Sequence, residues 1–200
     1  MARPREFDED TVVAKALDRF WTAGYRATSI TDLLRATGLS RGSLYAAFGD
    51  KRGLFLRALD AYCADVLAAV HAALDGDDQG AAGRLVSHVR HVADHCGAGA
   101  RGCFLAKSVS ELAASDPEVA LRADGMYGSY EEVVLTCVTQ AQRVGAIDRG
   151  HEPRALAALL IITVRGMEGL DRAAHGPEFI RQVADHSVAF ITDSGHPVAV

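Results

Sequence analysis

The sequence has little with which to build a β-sheet, a membrane anchor or a disulfide framework. Aromatic residues are 6% of the 200, and no run of alternating β-branched residues closes on Asn-Gly or Asp-Gly, so hairpins are not expected. The longest uncharged apolar stretch is the ten residues Ala155–Val164, between Arg154 and Arg165, whereas a membrane span needs roughly 20. The first ten residues mix both charge signs and lack the apolar core of a signal peptide. Among Cys63, Cys96, Cys103 and Cys137 there is no Cys-x-x-Cys pair, and free thiols in a reducing cytoplasm are expected. No Gly-x-Ser-x-Gly elbow, Walker loop or carboxylate dyad in helical register is present, so neither an enzyme nor a bound cofactor is expected. A net charge of −5 argues against a surface uniformly basic for gripping nucleic acid.

What is present is helical periodicity. With 49% hydrophobic and 24% charged residues, the chain is ordinary globular material with enough length to bury a core. Val13, Ala16, Leu17, Phe20 and Trp21 form one apolar stripe, with Gly24 placed for a left-handed C-cap. Ser29 and Asp32 have capping-box spacing and open a short helix that stops at Gly38. Ser40 caps a third helix through Leu44, Tyr45 and Phe48, and a longer fourth runs from Asp50 to Gly76. Further helices are expected near 80–96, 103–114, 116–145, 153–175 and 177–193. Three of them start at Pro117, Pro153 or Pro177, where proline gives up only an amide that would be unpaired anyway. The fold class is therefore all-α, about nine helices. The charge is unevenly shared: residues 1–60 hold ten Lys/Arg against eight Asp/Glu, and the remaining 140 hold eleven against eighteen.

Residues 28–51 have the layout of a helix-turn-helix, with a tight Gly38-Leu39-Ser40 turn between two short helices. Such a unit can project its second helix into a groove about 12 Å wide, and the small Gly42 and Ser43 allow close approach. The text Ala16-Leu17-x-x-Phe20-x-x-x-Gly24-Tyr25-x-x-Thr28-Ser29-Ile30-x-x-Leu33, then Thr37-Gly38-Leu39-Ser40-x-Gly42-Ser43-Leu44-Tyr45-x-x-Phe48-Gly49-Asp50-Lys51-x-x-Leu54-Phe55, resembles the TetR family of transcriptional regulators. The resemblance implies a homodimeric, ligand-responsive repressor that binds a double-stranded DNA operator and is released by a small-molecule effector. It implies a DNA-binding domain over 1–50, a connecting helix from about 50 to 75, and an effector-binding and dimerisation domain over 76–200. It also implies that Thr28 touches a phosphate and that Ser40, Arg41, Gly42 and Ser43 lead the recognition helix. Tyr45 would contact the DNA backbone and Lys51 a phosphate. Ala46 and Ala47 depart from the larger residues common there, so base readout would rest on Arg41 and Ser43.

Other signals compete with bland readings. His88, His91 and His95 share a helix face that could bind a metal ion with a ligand from elsewhere, or simply face solvent. Gly97-Ala-Gly99-Ala-Arg-Gly102 spells G-x-G-x-x-G, but a helix precedes it rather than a strand, so a flexible connector is expected. Cys103 follows it at a helix start, where the dipole and Arg101 favour thiolate; electrophile or redox sensing is the alternative to an inert buried thiol. Gly-Cys-Phe-Leu also resembles a stretch of a TetR subgroup with cysteine sensors. Effector lining is expected from Cys103, Phe104, Lys107, Met126, Tyr127, Tyr130 and Arg165. Leu156, Leu159, Leu160, Ile161, Ile162 and Val164 make one helix apolar almost all round, so burial on every side is expected. With the helix carrying Phe179, Ile180, Val183, Val188, Phe190 and Ile191 it suits a four-helix dimer interface, and Gly166 and Gly169 permit close approach.

Overall fold

The computed structural model describes residues 7–96, 101–170 and 176–192. Among the described residues the regular elements are nine helices and no strand. They are α1 (Glu9–Ala23), α2 (Ile30–Thr37), α3 (Arg41–Phe48), α4 (Lys51–Leu74), α5 (Ala81–His95), α6 (Phe104–Leu112), α7 (Pro117–Arg143), α8 (Pro153–Leu170) and α9 (Pro177–Thr192). The G-x-G-x-x-G connector lies mostly outside the described residues, as do residues 171–175 at the expected end of the eighth helix.

The chain divides into two compact units, one built from residues up to Asp65 with Phe104–Ala123, the other from Val66–Cys103 with Asp124 onward. In the first unit, the carboxylate of Asp8 accepts the Thr11 amide and starts α1, whose Val13, Ala16 and Phe20 are buried. Ser29 and Asp32 form the full capping box of α2. Gly38, at φ 77° and ψ 7°, ends that helix in the left-handed region where glycine carries no Cβ penalty. Gly24 differs from expectation. Its φ of 88° and ψ of 165° turn the chain into an extended segment rather than a left-handed cap. The residues beyond it are tied by side chains, so no second helix-terminal turn is required.

Aromatic rings fill this unit's interior. Phe55 packs edge-on to Phe20 at 5.2 Å and to Tyr25 at 4.8 Å, and Trp21 and Phe104 both lie against Tyr62. Gly53 is required in the first turn of α4, because a Cβ there would stand 2.0 Å from the Phe48 carbonyl oxygen. Arg52 makes a paired contact to Asp116 at 2.7 and 2.8 Å, fastening the start of α7 to the start of α4 within the same unit.

In the second unit, α5 packs on α8 and α9, and α8 on α9. Leu85, Val89, Val138, Ile147, Leu160, Val164, Met167 and Ile180 are buried. The three prolines open their helices as expected; the Glu152 carboxylate accepts the Arg154 and Ala155 amides and caps α8. The expectation that α8 is buried all round is corrected. Leu156, Leu160 and Val164 are inside, but Ile162 is 69% exposed and Leu159 38%. Among the described residues, the side of this helix that carries Leu156, Leu160 and Val164 is covered and the side that carries Ile162 is not.

Candidate nucleic-acid interface and the helical second unit

The recognition elements are α2 and α3. The Thr37 hydroxyl donates to the Leu33 carbonyl and accepts the Leu39 amide, fixing the turn between them. The Ser40 hydroxyl accepts the Ser43 amide at 3.1 Å and lies 2.8 Å from the Ser43 hydroxyl, so the first turn of α3 is capped and both side chains are partly engaged. Leu44 and Phe48 point into the core, while Ser40, Arg41, Gly42, Tyr45 and Ala46 face outward. The exposed face thus carries a cation, three small residues and a phenol on a helix whose N-terminal backbone amides favour an anion.

Lys51 stands at the start of α4 with its ammonium 4.2 Å from the centre of the Tyr25 ring. Partial burial lowers its pKa from the usual lysine value, and the Glu111 carboxylate opposes that shift. The contact holds a long side chain on a rigid aromatic face. Thr28 is a correction: its side chain is fully buried and its hydroxyl donates to the Gly24 carbonyl at 2.7 Å. An internal brace four residues long uses the hydroxyl that was expected to reach a phosphate.

The residues expected to line an effector site are drawn from both units. Phe104 and Lys107 belong to the first unit, Phe104 within the aromatic cluster and Lys107 with its ammonium 2.8 Å from the Trp21 carbonyl oxygen. Their roles there depend on residues more than 40 positions away, which local pattern does not reveal. In the second unit, Tyr130, Met126 and Cys103 are buried and Tyr127 and Arg165 half-buried. The Arg165 guanidinium lies 5.4 Å from the Tyr130 ring centre, donates to the Cys103 sulfur at 3.4 Å and pairs with Glu168 at 2.9 Å. Burial pushes the Tyr130 hydroxyl up to about 12 and raises the Glu168 carboxyl, against the lowering effect of Arg165 on both. A separate open groove of about 390 Å³, bordered by His71, Asp75, Glu132 and Gln140, contains none of the expected lining residues.

The histidine face does not converge. His88 Nε2 sits 2.5 Å from the Tyr130 hydroxyl, whereas His91 and His95 are exposed and His95 donates to the His91 carbonyl. Among the described residues no group of three His, Cys, Asp or Glu side chains could hold a metal ion. Sequence reasoning placed the three imidazoles on one stripe; the helix turns His88 inward onto α7 and leaves the others outside.

Burial pushes the His88 imidazole down to about 4, with the positive charge of Arg165 and that of His91 acting the same way. Between pH 6.5 and 4 the unfolded chain therefore takes up a proton that the folded chain refuses, and stability falls as pH drops through that window. Glu168, whose carboxyl is raised, works in the opposite direction. Thermal unfolding from neutral pH to about pH 5 is expected to show an acid-dependent loss of about 1–2 kcal/mol that His88→Gln removes. Parallel curves for the two proteins would mean that His88 is not the titrating group.

A capped, outward-facing helix set behind a tight turn on a three-helix scaffold defines a helix-turn-helix DNA-binding protein. Residues 12–58 match the bacterial regulatory proteins of the tetR family, and residues 81–187 match the tetracyclin repressor-like C-terminal domain. The chain is 31% identical over 186 residues to the HTH-type transcriptional repressor ComR of Escherichia coli strain K12, spanning 91% of this chain and 88% of that protein. A TetR transcriptional regulator from Chloroflexus aurantiacus J-10-FL superposes with a TM-score of 0.82 at 25% identity, over 93% of this chain and 96% of the other. A cysteine mutant of the TetR family regulator CifR, complexed with 26-bp double-strand operator DNA, superposes at 0.78 with 25% identity, over 95% and 100% of the two chains. The chain belongs to the TetR family and is a DNA-binding transcriptional regulator rather than an enzyme. Among its described residues no helix is long and apolar enough to cross a membrane.

Proposed function

We propose that the protein is a homodimeric repressor that places one α3 helix in each of two operator half-sites and leaves DNA when a small molecule binds its helical second unit. The observation that carries this reading is the orientation of α3, with Leu44 and Phe48 buried and Ser40, Arg41, Gly42 and Tyr45 exposed around a capped N-terminus. In this reading Arg41 reads a base edge, Ser40, Gly42 and Ser43 bring the helix N-terminus against the backbone, and Tyr45 and Lys51 hold phosphates. Thr28 serves only as the brace that delivers α2. The similarity to a named repressor and to a regulator complexed with operator DNA supports the assignment.

Dimerisation through α8 and α9 is supported by the apolar side chains those helices leave outside: Leu159 and Ile162 on one, Phe179 and Phe190 on the other. An added Cβ at Gly166 or Gly169 would meet nothing within 4 Å among the described residues, which suits a closely approaching partner helix. Half-sites about 34–36 Å apart, or a multiple of that, make DNA binding sensitive to the distance between heads. An effector acts only if its affinity differs between the two spacings. The test is a gel shift of the full chain against DNA upstream of its own coding region. Saturable binding that weakens steeply with salt is expected, and no saturable binding by folded protein at low salt would overturn the reading.

One observation favours a second reading, in which Cys103 is the effector site. Its sulfur is 3.4 Å from the Arg165 guanidinium, a cation able to stabilise thiolate at the moment it attacks an electrophile. Treatment with N-ethylmaleimide is then expected to release operator DNA from the wild type and not from Cys103→Ser. Equal release from both would place the reactive thiol elsewhere, with the half-buried Cys63 next in line.

A further inference from the structure

The end of α1 is gripped by two side chains of α6 that lie in neither the recognition helix nor any motif of the head. Lys107 donates to the carbonyls of Trp21, at 2.8 Å, and Thr22, at 3.3 Å. One turn further along, Glu111 accepts the Tyr25 amide on Oε2 at 2.9 Å and the Arg26 amide on Oε1 at 2.6 Å. The order matches the local charge. The last carbonyls of a helix carry partial negative charge and receive the cation, and the amides beyond receive the anion. A carboxylate that takes two successive backbone amides, one on each oxygen, fixes direction as well as distance. Gly24 makes room for this, since a Cβ there would come within 3.0 Å of Glu111 Oε2.

What Glu111 holds leads directly to the DNA-facing parts. Tyr25, fixed by its amide, lays its ring against Phe55 and beneath the Lys51 ammonium. The Tyr25 carbonyl accepts the Thr28 amide at 3.2 Å, the Thr28 hydroxyl returns to Gly24, and Ser29 then caps α2. All of these contacts lie within the first unit. The chain passes between the units at three places, inside α4 after Asp65, at the start of α6 and inside α7 after Ala123, so α6 is one of three covalent routes into the head.

We propose that Lys107 and Glu111 are positioning residues for operator binding. They hold the α1–α2 turn so that Lys51 and the first turn of α2 meet the DNA backbone, and they act through Tyr25 without touching DNA. The inference rests on the first unit being the operator-binding part.

The test compares full-length wild type with Glu111→Gln and, separately, Lys107→Met. Readouts are operator affinity as a function of salt, hydrogen exchange at the Tyr25 and Arg26 amides, and the melting temperature. Glutamine keeps the shape of glutamate but offers one acceptor and turns an N–H toward the second amide. For Glu111→Gln, operator affinity is expected to fall about tenfold, the loss of a charge-assisted hydrogen bond expressed through the contacts it positions. The salt dependence should become shallower as Lys51 loses its phosphate, and both amides should exchange faster. Glu111→Asp, which keeps the charge, should recover part of the affinity. Wild-type affinity and salt dependence in a variant whose two amides exchange faster would show a merely structural contact and overturn the proposal, as would unchanged exchange. If Glu111→Gln does not fold, Lys107→Met carries the same comparison of affinity and salt dependence. Absence of operator binding by the wild type would overturn the reading of the head itself, and this inference with it.

Discussion

Ile162→Asp is expected to break the proposed α8–α9 dimer into monomers and to weaken operator binding at least about a hundredfold. Ile162 is the most exposed large apolar side chain of α8, at 69%, and lies on the same helix as the partly exposed Leu159. Phe179 and Phe190 of α9 are 41% and 48% exposed, and α9 packs on α8. A second copy that covers these side chains would surround residue 162 with apolar groups. An aspartate there would be a charge without a partner in a desolvated contact, a loss of several kcal/mol, about 3–5 by analogy with broken buried pairs. Because the side chain faces outward in the single chain, the fold itself should survive. Sedimentation would then show one chain in place of two, with helical content unchanged. Operator affinity falls because each head alone holds one half-site, and the second no longer binds at high effective concentration. A variant that remains dimeric with wild-type affinity would place the interface elsewhere.

The second large effect separates reading from holding. Arg41 is the first residue of α3 and is exposed, while Ala46 and Ala47 on the same helix present no hydrogen-bonding groups to a base. A guanidinium paired to one base edge carries about 1–3 kcal/mol of discrimination, so Arg41→Ala should cost about 10- to 100-fold on the cognate operator and little on unrelated DNA. Lys51 is proposed for a different kind of contact. It stands on the Tyr25 ring at the start of α4, and a phosphate is the same everywhere along the duplex. Lys51→Ala should weaken all sequences alike and reduce the salt slope by about one. Binding titrations on cognate and scrambled duplexes at several salt concentrations distinguish the two. A uniform loss in Arg41→Ala would remove it as the base reader.

Much of the head was legible because its signals are local. The Ser29–Asp32 capping box, the Ser40 cap and the prolines at 117, 153 and 177 each act within a turn of their own position, and each sits where its spacing placed it. The buried hydroxyl of Thr28 was not legible, since a threonine that braces its own turn and one that meets a phosphate look alike in sequence. The contacts of Phe104 and Lys107 were not legible for a different reason. Their partners, Trp21, Thr22 and Tyr62, are distant in the chain, and an apolar residue or a lysine on a short helix does not announce which neighbour it will find. Lys107 and Glu111 are four apart, and that spacing was the only available hint of a shared task. On α8 the all-round apolar pattern is real, but Ile162 is exposed, and an apolar residue does not state in sequence whether its own chain covers it.

Charge sharpened the picture once it was divided. Residues 1–60 carry a net +2 and the remainder −7, so the −5 of the whole chain conceals a mildly basic end. An acidic remainder repels DNA and favours contact through the head alone.

The most direct measurement is hydroxyl-radical footprinting of the full-length chain on duplexes it has selected from a random pool. The selected sequences should share an inverted repeat, with two protected stretches related by the same symmetry and separated by about 34–36 Å or a multiple of it. Each complex should hold at least two chains. Recovery of no shared sequence, or a single unrepeated protected patch bound by one chain, would contradict a two-headed operator-binding regulator.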